Sequence, residues 1–468
     1  MGVCIVTAVV LGGASMSGDK PELGDKLKLC ECGKPVMAKS TQLILGKGAI
    51  AELPRVVRNL FRGLTRPVTQ DRVESCAKVV VLFDPTTHSL FGEKIIALLR
   101  SSGFNSHALV LGDPNRPFEP DEKAIEQAKL AKEKDGTLYI GVGSGAINDL
   151  GKYVSFHTGT PYICVATAPS MDGFVAPISA INVKKVKTTV DTRCPDAVVA
   201  DLDILCNAPK SLITAGFGDL LGKLTSLTDW KLAQVLFDEH WCRKTWEELG
   251  MLARKVVNAA DEIAERTPEA ISKLMEGLYR AGTSVVHVGR SRPTSGAEHL
   301  FSHFVEMWHI NRVLRPPVHG HTVGVGTLLV THIAQALKTV SEPSISVEKS
   351  CESVQDVLAA IKVDSVPDNF GIEKFDHDLS VQRLKSIQLR WRQVVEVITE
   401  LPSPQECKEF LKKAGCPTRL SQLGLTRETA TQAIKWCRYL RKRYTLFDLA
   451  ADVGILPKLV DELIEEYY

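Results

Sequence analysis

The pattern of apolar residues changes once along this chain, near residue 208. Before that point, short β-branched runs alternate with helical segments, and Lys78–Phe83 (KVVVLF) is typical of a strand buried on both faces of a parallel sheet. After it, valine runs and glycine-rich turns give way to long helical patterns. The sequence therefore predicts an α/β N-terminal domain with a parallel sheet at residues 41–208 and an all-α C-terminal domain at residues 209–468. Residues 1–40 show weak periodicity and are predicted to be an N-terminal extension.

These two patterns of apolar residues predict individual strands and helices. The predicted strands are Gln42–Leu45, Lys78–Phe83, His107–Leu111, Leu138–Val142, Tyr162–Ala166 and Ala197–Ala200. The helices predicted after residue 208 are Asp219–Phe237, Trp241–Ile263, Pro268–Ala281, Ala297–His309, Thr322–Leu337, Glu406–Ala414, Arg427–Lys442 and Leu446–Val453. The alternation in the first half indicates βαβ units with parallel strands.

A glycine-rich turn follows the predicted strand Leu138–Val142 and leads into a helix. Glycines let the backbone approach a pyrophosphate closely, and a helix N-terminus offers free N–H groups. The turn, Gly143-Ser144-Gly145, is not the usual dinucleotide pattern, so a plain tight turn fits it as well. Asp84 follows another strand and could accept hydrogen bonds from a ribose, although Asp before Pro also starts ordinary turns. The polar run Thr167–Gly173 follows a third strand, where ligands of α/β sheets usually bind.

Five of the 12 histidines lie between Ser291 and Gly326. Two of them, His299 and His303, are four residues apart on a predicted helix and share one face. A third, His319, follows a Pro-Pro break and is predicted to open a second helix. Imidazoles converging from two helices can bind a divalent metal, and Asp219, predicted at the start of another helix, is the best anionic partner.

Each of these residues, taken singly, has an ordinary structural explanation such as capping or hydrogen bonding. The helix around His299 and His303, however, is apolar nearly all round and is therefore predicted to be buried. An unsatisfied buried polar group costs ~1–3 kcal/mol, which favours coordination of these rings. The small residues of Val323–Gly326 would let a helix pack closely beside the site. One Asp and two His leave open positions for substrate, as working metal sites do.

Composition excludes several classes of protein. Net charge is +2 with balanced charges, so no basic surface for nucleic acid or membrane is predicted. The apolar stretch Val3–Val10 is far shorter than the ~20 residues that span a bilayer. None of the 12 cysteines forms a C-x-x-C pair, and Cys30 and Cys32 form only a C-x-C. Scattered thiols of this kind indicate a reducing, cytoplasmic location.

Several stretches together resemble the sn-glycerol-1-phosphate dehydrogenase family. That family lies in the superfamily of iron-containing alcohol dehydrogenases, glycerol dehydrogenases and dehydroquinate synthases. The matching stretches are GVGSGAINDLGKY, TAPSMDGF, CPDAVVADLDIL, AGFGDLLGKLTSLTDWKLA, SRPTSGAEHLFSHFVEMW and PPVHGHTVGVGT. They cover most of the chain from about residue 40 onward and look closest to the bacterial-type branch. The resemblance implies a dehydroquinate synthase-like fold.

The resemblance also implies roles for individual residues. The metal ligands would be Asp219, His299 and His319, and Asp219 would touch the substrate as well. Asp172 and His303 would contact the substrate. The residues implied at the dinucleotide are Asp84, Gly145, Ala146, Ile147, Asn148, Asp149, Thr167, Ala168, Pro169 and Ser170. Ala176 stands where the family often has a serine, so one hydrogen bond to the cofactor would be missing.

The implied reaction is the reversible reduction of dihydroxyacetone phosphate to sn-glycerol 1-phosphate with NADH or NADPH. Asp with two His would suit Zn²⁺, Ni²⁺ or Fe²⁺, and the family suggests a homo-oligomer. Three other functions remain open at this point. They are a polyol dehydrogenase acting on unphosphorylated glycerol or a related alcohol, a cyclising synthase that recycles its NAD, and an inactive nucleotide-binding relative, although the ligand set is intact.

Overall fold

The computed structural model describes residues 4–7, 30, 32, 41–64, 78–133, 136–183, 186–343, 353–363, 366 and 370–468. The predicted extension at residues 1–40 lies almost entirely outside these residues. The exceptions are Cys30, Cys32 and a short strand, Cys4–Thr7, which pairs antiparallel with the strand Gln42–Gly46. In the described part of the chain, no helix combines the length and apolar character that a membrane crossing requires.

The first of two compact units comprises Met1–Ile213 and Arg266–Gly289. Its main sheet has the strand order β1-β2-β9-β6-β5-β3-β4, in which every pair except β1·β2 is parallel. The strands are β1 Cys4–Thr7, β2 Gln42–Gly46, β3 Lys78–Phe83, β4 Asn105–Val110, β5 Thr137–Gly143, β6 Tyr162–Ala166 and β9 Ala197–Asp201. A separate antiparallel hairpin consists of β7 Ile178–Val183 and β8 Val186–Asp191. The predicted parallel sheet is confirmed.

The central strands of this sheet are buried along their whole length, as their β-branched sequences indicate. Strand β5 lies between β6 and β3, with Gly143 opposite Ala166 and Phe83 opposite Val142. Because parallel strands end at the same edge, the residues that follow β3, β5 and β6 lie side by side.

The helices of this unit mostly lie between successive strands, and two follow the last strand. They are Leu53–Leu64, the helical segment made of Pro85–Thr87, His88–Gly92 and Glu93–Ser101, then Glu122–Leu130, Gly145–Thr158, Leu202–Leu205 and the later helix Pro268–Val288. The last of these belongs here because its Tyr279 hydroxyl donates to the Thr41 carbonyl at 2.6 Å. Its Gly282 also lies so close to the Asp172 carbonyl that a Cβ would stand only 2.5 Å from that oxygen.

The second unit comprises Thr214–Glu265 and Arg290–Tyr468, and every regular element described in it is helical. Its helices are Lys223–Phe237, Arg243–Val257, Ala260–Ala264, Ala297–Ile310, His319–Leu337, Val354–Ile361, His377–Thr399, Pro404–Ala414, Arg427–Trp436, Leu446–Asp452 and Leu456–Tyr467. The helix Lys210–Leu221 enters this unit from the first. The predicted all-helical C-terminal part is confirmed.

Candidate metal centre

Three helices of the second unit bring the predicted ligands together. Asp219 lies on Lys210–Leu221 (the aspartate helix), His299 on Ala297–Ile310 (the histidine helix), and His319 begins His319–Leu337 (the glycine helix). One ligand atom from each residue lies within 4.8 Å of the others. His299 Nε2 is 3.3 Å from Asp219 Oδ1, and the rings of His299 and His319 are 5.3 Å apart. These distances suit three ligands around one cation.

Glycines make the close approach of two of these helices possible. A Cβ on Gly218 would overlap the Gly320 carbonyl oxygen, and a Cβ on Gly320 would overlap the carbonyl of Ala215. The neighbouring Gly324 also faces Gly218, and Gly326 faces the histidine helix at Glu298. Since Asp219 and His319 are adjacent in sequence to Gly218 and Gly320, the glycine contact sets the separation of these two ligands. The close packing predicted from Val323–Gly326 is present.

The placement of Asp219 corrects one sequence prediction. Asp219 was expected at the start of a helix, but it lies near the end of the aspartate helix, and the next helix begins at Lys223. Gly216 and Gly218 look like a turn in the sequence because glycine is a poor helix former. They are helical here, and Gly218 occupies the contact with the glycine helix.

Two buried glutamates hold the distal nitrogens of the ligand histidines. Glu298 Oε1 is 2.7 Å from His299 Nδ1, and Glu306 Oε1 is 2.5 Å from His319 Nδ1. When Nδ1 donates to a carboxylate, Nε2 keeps its lone pair, which is the form that binds a metal. Glu298 is itself fixed by the Thr225 hydroxyl and the Gly296 N–H, each at 2.7 Å. The chemistry of the donor set therefore fits a divalent ion.

A buried lysine balances the charge of Asp219. Lys223 Nζ donates to Asp219 Oδ1 at 2.8 Å and to the Thr294 carbonyl at 3.0 Å. Burial alone would raise the pKa of Asp219, but the Lys223 ammonium lowers that pKa well below its usual range. Asp219 is therefore a carboxylate at any physiological pH and can act as an anionic ligand.

His303 lies one turn after His299 on the histidine helix. Its ring centroid is 6.0 Å from that of His299 and 5.6 Å from that of His319, and its Nδ1 is 3.7 Å from Glu306 Oε2. Burial lowers the pKa of His303 to about 4, so the ring is neutral near pH 7. His303, Glu306 and His319 also place ligand atoms within 4.8 Å of one another.

The other histidines of this stretch have structural partners. His309 Nδ1 is 2.7 Å from the Val305 carbonyl oxygen, and His321 Nε2 is 2.8 Å from the Thr214 hydroxyl. Of the five histidines in the stretch, three therefore face the candidate site.

The predicted dinucleotide residues lie along the carboxyl edge of three neighbouring strands in the first unit. Asp84 follows β3, the helix Gly145–Thr158 begins after β5, and Thr167–Ser170 follow β6. The Thr167 N–H donates to the Gly143 carbonyl at 3.1 Å, which joins two of these turns. A Cβ on Gly145 would stand 2.6 Å from Met171 Cε, so this position suits glycine. The arrangement matches the edge at which such sheets bind nucleotides.

Two of these side chains, Asn148 and Asp84, also make hydrogen bonds that stabilise the fold. The Asn148 amide donates to the carbonyls of Gly173 and Phe174, both at 3.3 Å, and accepts from the Tyr162 hydroxyl at 3.1 Å. The Asp84 carboxylate caps a helix by accepting the Thr87 N–H at 2.8 Å. The Asn148 contacts orient the segment that carries Asp172, which lies in the short 3-10 helix Asp172–Phe174. The cofactor and substrate roles of these residues stay predictions.

Several residues with a place in the site were missed by the sequence reasoning. Glu298 and Glu306 lie on a helix that was recognised as apolar nearly all round, and the cost of burial that singled out its histidines applies equally to its carboxylates. Lys223, four residues after Asp219, pairs with it across one helical turn. Lys152 Nζ donates to the carbonyls of Gly173, Ala176 and Ile178 at 2.8, 3.2 and 2.5 Å. No sequence motif marks a lysine for that purpose.

Comparison with known proteins agrees with this geometry. Residues 55–209 match the family model described as iron-containing alcohol dehydrogenase. Among solved structures, glycerol dehydrogenase from Schizosaccharomyces pombe superposes with a TM-score of 0.59 at 15% identity, over 91% of this chain and 90% of that one. That likeness shows a fold shared with glycerol dehydrogenase, and the predicted fold class of an α/β domain followed by a helical part is confirmed.

Curated relatives over most of the chain are named glycerol-1-phosphate dehydrogenase [NAD(P)+]. The protein from Bacillus licheniformis is 29% identical over 93% of this chain and 94% of its own length. The protein from Geobacillus thermodenitrificans is 30% identical over 80% and 87%, and that from Aeropyrum pernix is 32% identical over 61% and 80%. The resemblance seen in the motifs is therefore confirmed, and this chain belongs to the glycerol-1-phosphate dehydrogenase family.

Proposed function

We propose that this protein reversibly reduces dihydroxyacetone phosphate to sn-glycerol 1-phosphate with NADH or NADPH. The observation that carries the proposal is the convergence of Asp219, His299 and His319 in a chain that matches named glycerol-1-phosphate dehydrogenases along most of its length. An intact ligand set supports an active enzyme rather than an inactive relative.

Each residue of the centre has a proposed task. Asp219 Oδ1 and the Nε2 atoms of His299 and His319 would hold one divalent ion, either Zn²⁺, Ni²⁺ or Fe²⁺. When bound, such an ion supplies Lewis acidity that stabilises negative charge developing on the substrate carbonyl oxygen. His303, neutral and two-thirds buried, would orient a substrate hydroxyl and pass on the proton that follows hydride transfer. Asp172 is proposed as a second substrate contact.

The dinucleotide is proposed to lie along the carboxyl edge of β3, β5 and β6. Gly145–Asp149 would face the pyrophosphate from the helix start, Thr167–Ser170 would position the nicotinamide end, and Asp84 would accept from a ribose hydroxyl. A carboxylate at the ribose favours NAD mildly over NADP because it repels a 2′-phosphate.

The test combines metal analysis with an assay of NADH consumption in the presence of dihydroxyacetone phosphate. We expect purified wild-type protein to hold one divalent ion per chain and to oxidise NADH only when the substrate is added. His299→Ala should lose both the ion and the activity, while His157→Ala, an exposed histidine in the first unit, should lose neither. Full activity in metal-free His299→Ala protein would refute the site.

A second candidate function is the oxidation of an unphosphorylated polyol, because the fold is shared with a glycerol dehydrogenase. Comparing NADH-linked turnover of dihydroxyacetone phosphate with that of dihydroxyacetone, and of glycerol in the reverse direction, separates the two functions. Preference for the uncharged substrates would favour this alternative.

We further propose the division into an extension at residues 1–40, a dinucleotide domain at residues 41–208 and a metal domain at residues 209–468. The first of those boundaries falls within residues of which few are described, and the second falls inside the first compact unit. We also propose a cytoplasmic homo-oligomer. The chain has 12 cysteines scattered along its length and no C-x-x-C pair, a usage that suits a reducing compartment. Light scattering after gel filtration tests the oligomer.

A further inference from the structure

An extended segment of the second unit places two arginine side chains close to the histidine helix. The 3-10 helix Cys437–Leu440 packs against the histidine helix, and the chain continues in extended conformation at Arg441 (φ −144°, ψ 153°). Side chains alternate between the two sides of an extended chain. In agreement, Arg441 and Arg443 are partly buried, whereas Lys442 between them is exposed. Both arginines therefore face inward.

Arg443 shows where this inward side lies. Its guanidinium donates to the carbonyl oxygen of Ser295 and, at 2.9 Å, to the hydroxyl of Ser291. These serines lead directly into the histidine helix, which begins at Ala297. Arg443 thus fixes the segment beside the helix that carries His299 and His303.

Arg441 is close enough to the site for its charge to act on His303. The positive charge of Arg441 disfavours the protonated form of the His303 ring, in the same direction as burial. The packing of Cys437–Leu440 on the histidine helix thus brings Arg441 within electrostatic range of the ring that we assign to the substrate.

The charge of Arg441 is not balanced by a carboxylate in the described part of the chain. Among the described residues, its guanidinium has one hydrogen bond, from Nη1 to the adjacent Leu440 carbonyl at 3.3 Å, and burial lowers its pKa. Nearby cations differ in this respect. Arg292 makes two contacts to Glu239, at 2.9 and 2.6 Å, and Lys374 Nζ lies 3.0 Å from Asp448. A bound anion would stabilise a half-buried cation that has no counterion of its own.

We propose that Arg441 binds the phosphate group of the substrate, an inference that rests on the proposed function. A guanidinium presents paired N–H donors that match two phosphate oxygens, and Arg443 adds positive potential beside it. The three-carbon substrate would then extend from the metal ligands past His303 to Arg441. Arg441 would make the site select a phosphate monoester over the corresponding free alcohol.

The test measures substrate preference in metal-loaded Arg441→Gln and Arg441→Lys, with Lys442→Gln as the matched exposed control. Loss of a charged hydrogen bond should raise the KM for dihydroxyacetone phosphate roughly 10- to 100-fold in Arg441→Gln. The inhibition constant of inorganic phosphate should rise by a similar factor, while kcat/KM for dihydroxyacetone stays unchanged. Arg441→Lys should lie between the wild type and Arg441→Gln, and Lys442→Gln should match the wild type.

Two outcomes would overturn the inference and leave the proposed function standing. One is an Arg441→Gln protein whose KM for dihydroxyacetone phosphate and whose phosphate inhibition equal those of a wild type active on that substrate. The other is an equal loss of turnover on both substrates together with loss of metal, which would make Arg441 a structural residue. If the wild type does not reduce dihydroxyacetone phosphate, the proposed function fails instead. Calorimetric binding of inorganic phosphate to the metal-loaded proteins then decides the role of Arg441 separately.

Discussion

At the scale of single residues, two buried glutamates determine how the histidines present their nitrogen atoms. Glu298 and Glu306 can each accept from a ring Nδ1, which would leave the Nε2 atoms of His299 and His319 free to bind the proposed ion. Both glutamates are almost fully buried, and an ionised carboxylate is retained in such a place only when it is well hydrogen-bonded. We regard them as positioning residues of the metal centre.

Replacement of Glu306 by Gln tests this role. A glutamine can donate its own N–H to His319, which would stabilise the wrong ring tautomer. We expect metal affinity to fall roughly 10- to 100-fold, as is typical for partners of metal-bound histidines. The measurement is a titration against a competing chelator, with the exposed Glu396→Gln as control. An unchanged dissociation constant would mean that Glu306 does not set the tautomer.

At the scale of elements, the site depends on where helices touch. The aspartate and glycine helices meet through Gly218, Gly320 and Gly324, with no side chain between their backbones at this point. Asp229 makes a second contact between helices. Its carboxylate accepts the N–H of Ala297 at 2.6 Å and that of Leu446 at 2.7 Å. Asp229 thereby ties the first residues of two helices to a third.

Gly320→Ala should force the two helices apart, because the added methyl group would overlap the Ala215 carbonyl. We expect a loss of about 1–3 kcal/mol in unfolding free energy, together with weaker metal binding. Gly250→Ala is the matched control, since its Cβ would meet only Leu227 Cδ1 at 3.6 Å. In that helix alanine should be neutral or stabilising. Equal behaviour of the two variants in denaturant titrations would contradict the contact.

Asp229 gives the second unit a defined response to pH. Burial and the nearby Glu298 raise the pKa of Asp229 to about 8, above the ~3.9 of an unfolded chain. Between these values the folded protein holds a proton that the unfolded protein releases. The contribution of Asp229 to unfolding free energy therefore falls as pH rises through this window and levels off above it. Asp229→Asn should remove the part of the pH-dependent loss of unfolding free energy that comes from Asp229.

The measurement is the denaturant midpoint of wild type and Asp229→Asn from about pH 5 to pH 9. The variant should start from lower stability, because its amide can accept only one of the two backbone N–H groups. Its midpoint should nevertheless depend less on pH. Parallel curves for the two proteins would show that Asp229 is not the titrating group.

At the scale of the whole molecule, metal binding should raise stability by mass action. An ion that binds only the folded second unit adds about 2.7 kcal/mol when its free concentration is one hundred times its dissociation constant. We expect chelator-treated wild type to regain a higher unfolding temperature on addition of the ion, whereas His299→Ala should show no shift. Scanning calorimetry makes the comparison, and an equal shift in both proteins would place the ion elsewhere.

Much of the fold could be predicted because its evidence is local. Lys78–Phe83 and Tyr162–Ala166 are strands between the predicted ends, since continuous β-branched or apolar runs between turn residues report burial directly. What failed depended on partners distant in sequence. The helix Pro268–Val288 was predicted to end at Ala281, before Gly282. Gly282 does not end the helix. The position is occupied by glycine because a side chain there would collide with the Asp172 backbone.

The candidate site shows the same division. His299 could be predicted from its spacing to His303 and its apolar surroundings, and His319 from its place at the start of a second helix. The family resemblance supplied the roles of all three ligands. The partners Glu298, Glu306 and Lys223 act through tertiary contacts that periodicity does not report. Arg441 lies more than 130 residues from His303, and only the packing of Cys437–Leu440 on the histidine helix brings them near.

The glycine contact and the arginine segment are separate pieces of this unit, and this separation has an evolutionary consequence. Retention of the proposed ion would depend on backbones that touch, where an added side chain would overlap a carbonyl group. Choice of substrate, in our assignment, depends on one side chain at the end of an extended strand of chain. Descendants of such a protein could exchange phosphorylated for neutral polyols by altering that side chain alone, while inheriting the ion-binding helices without change.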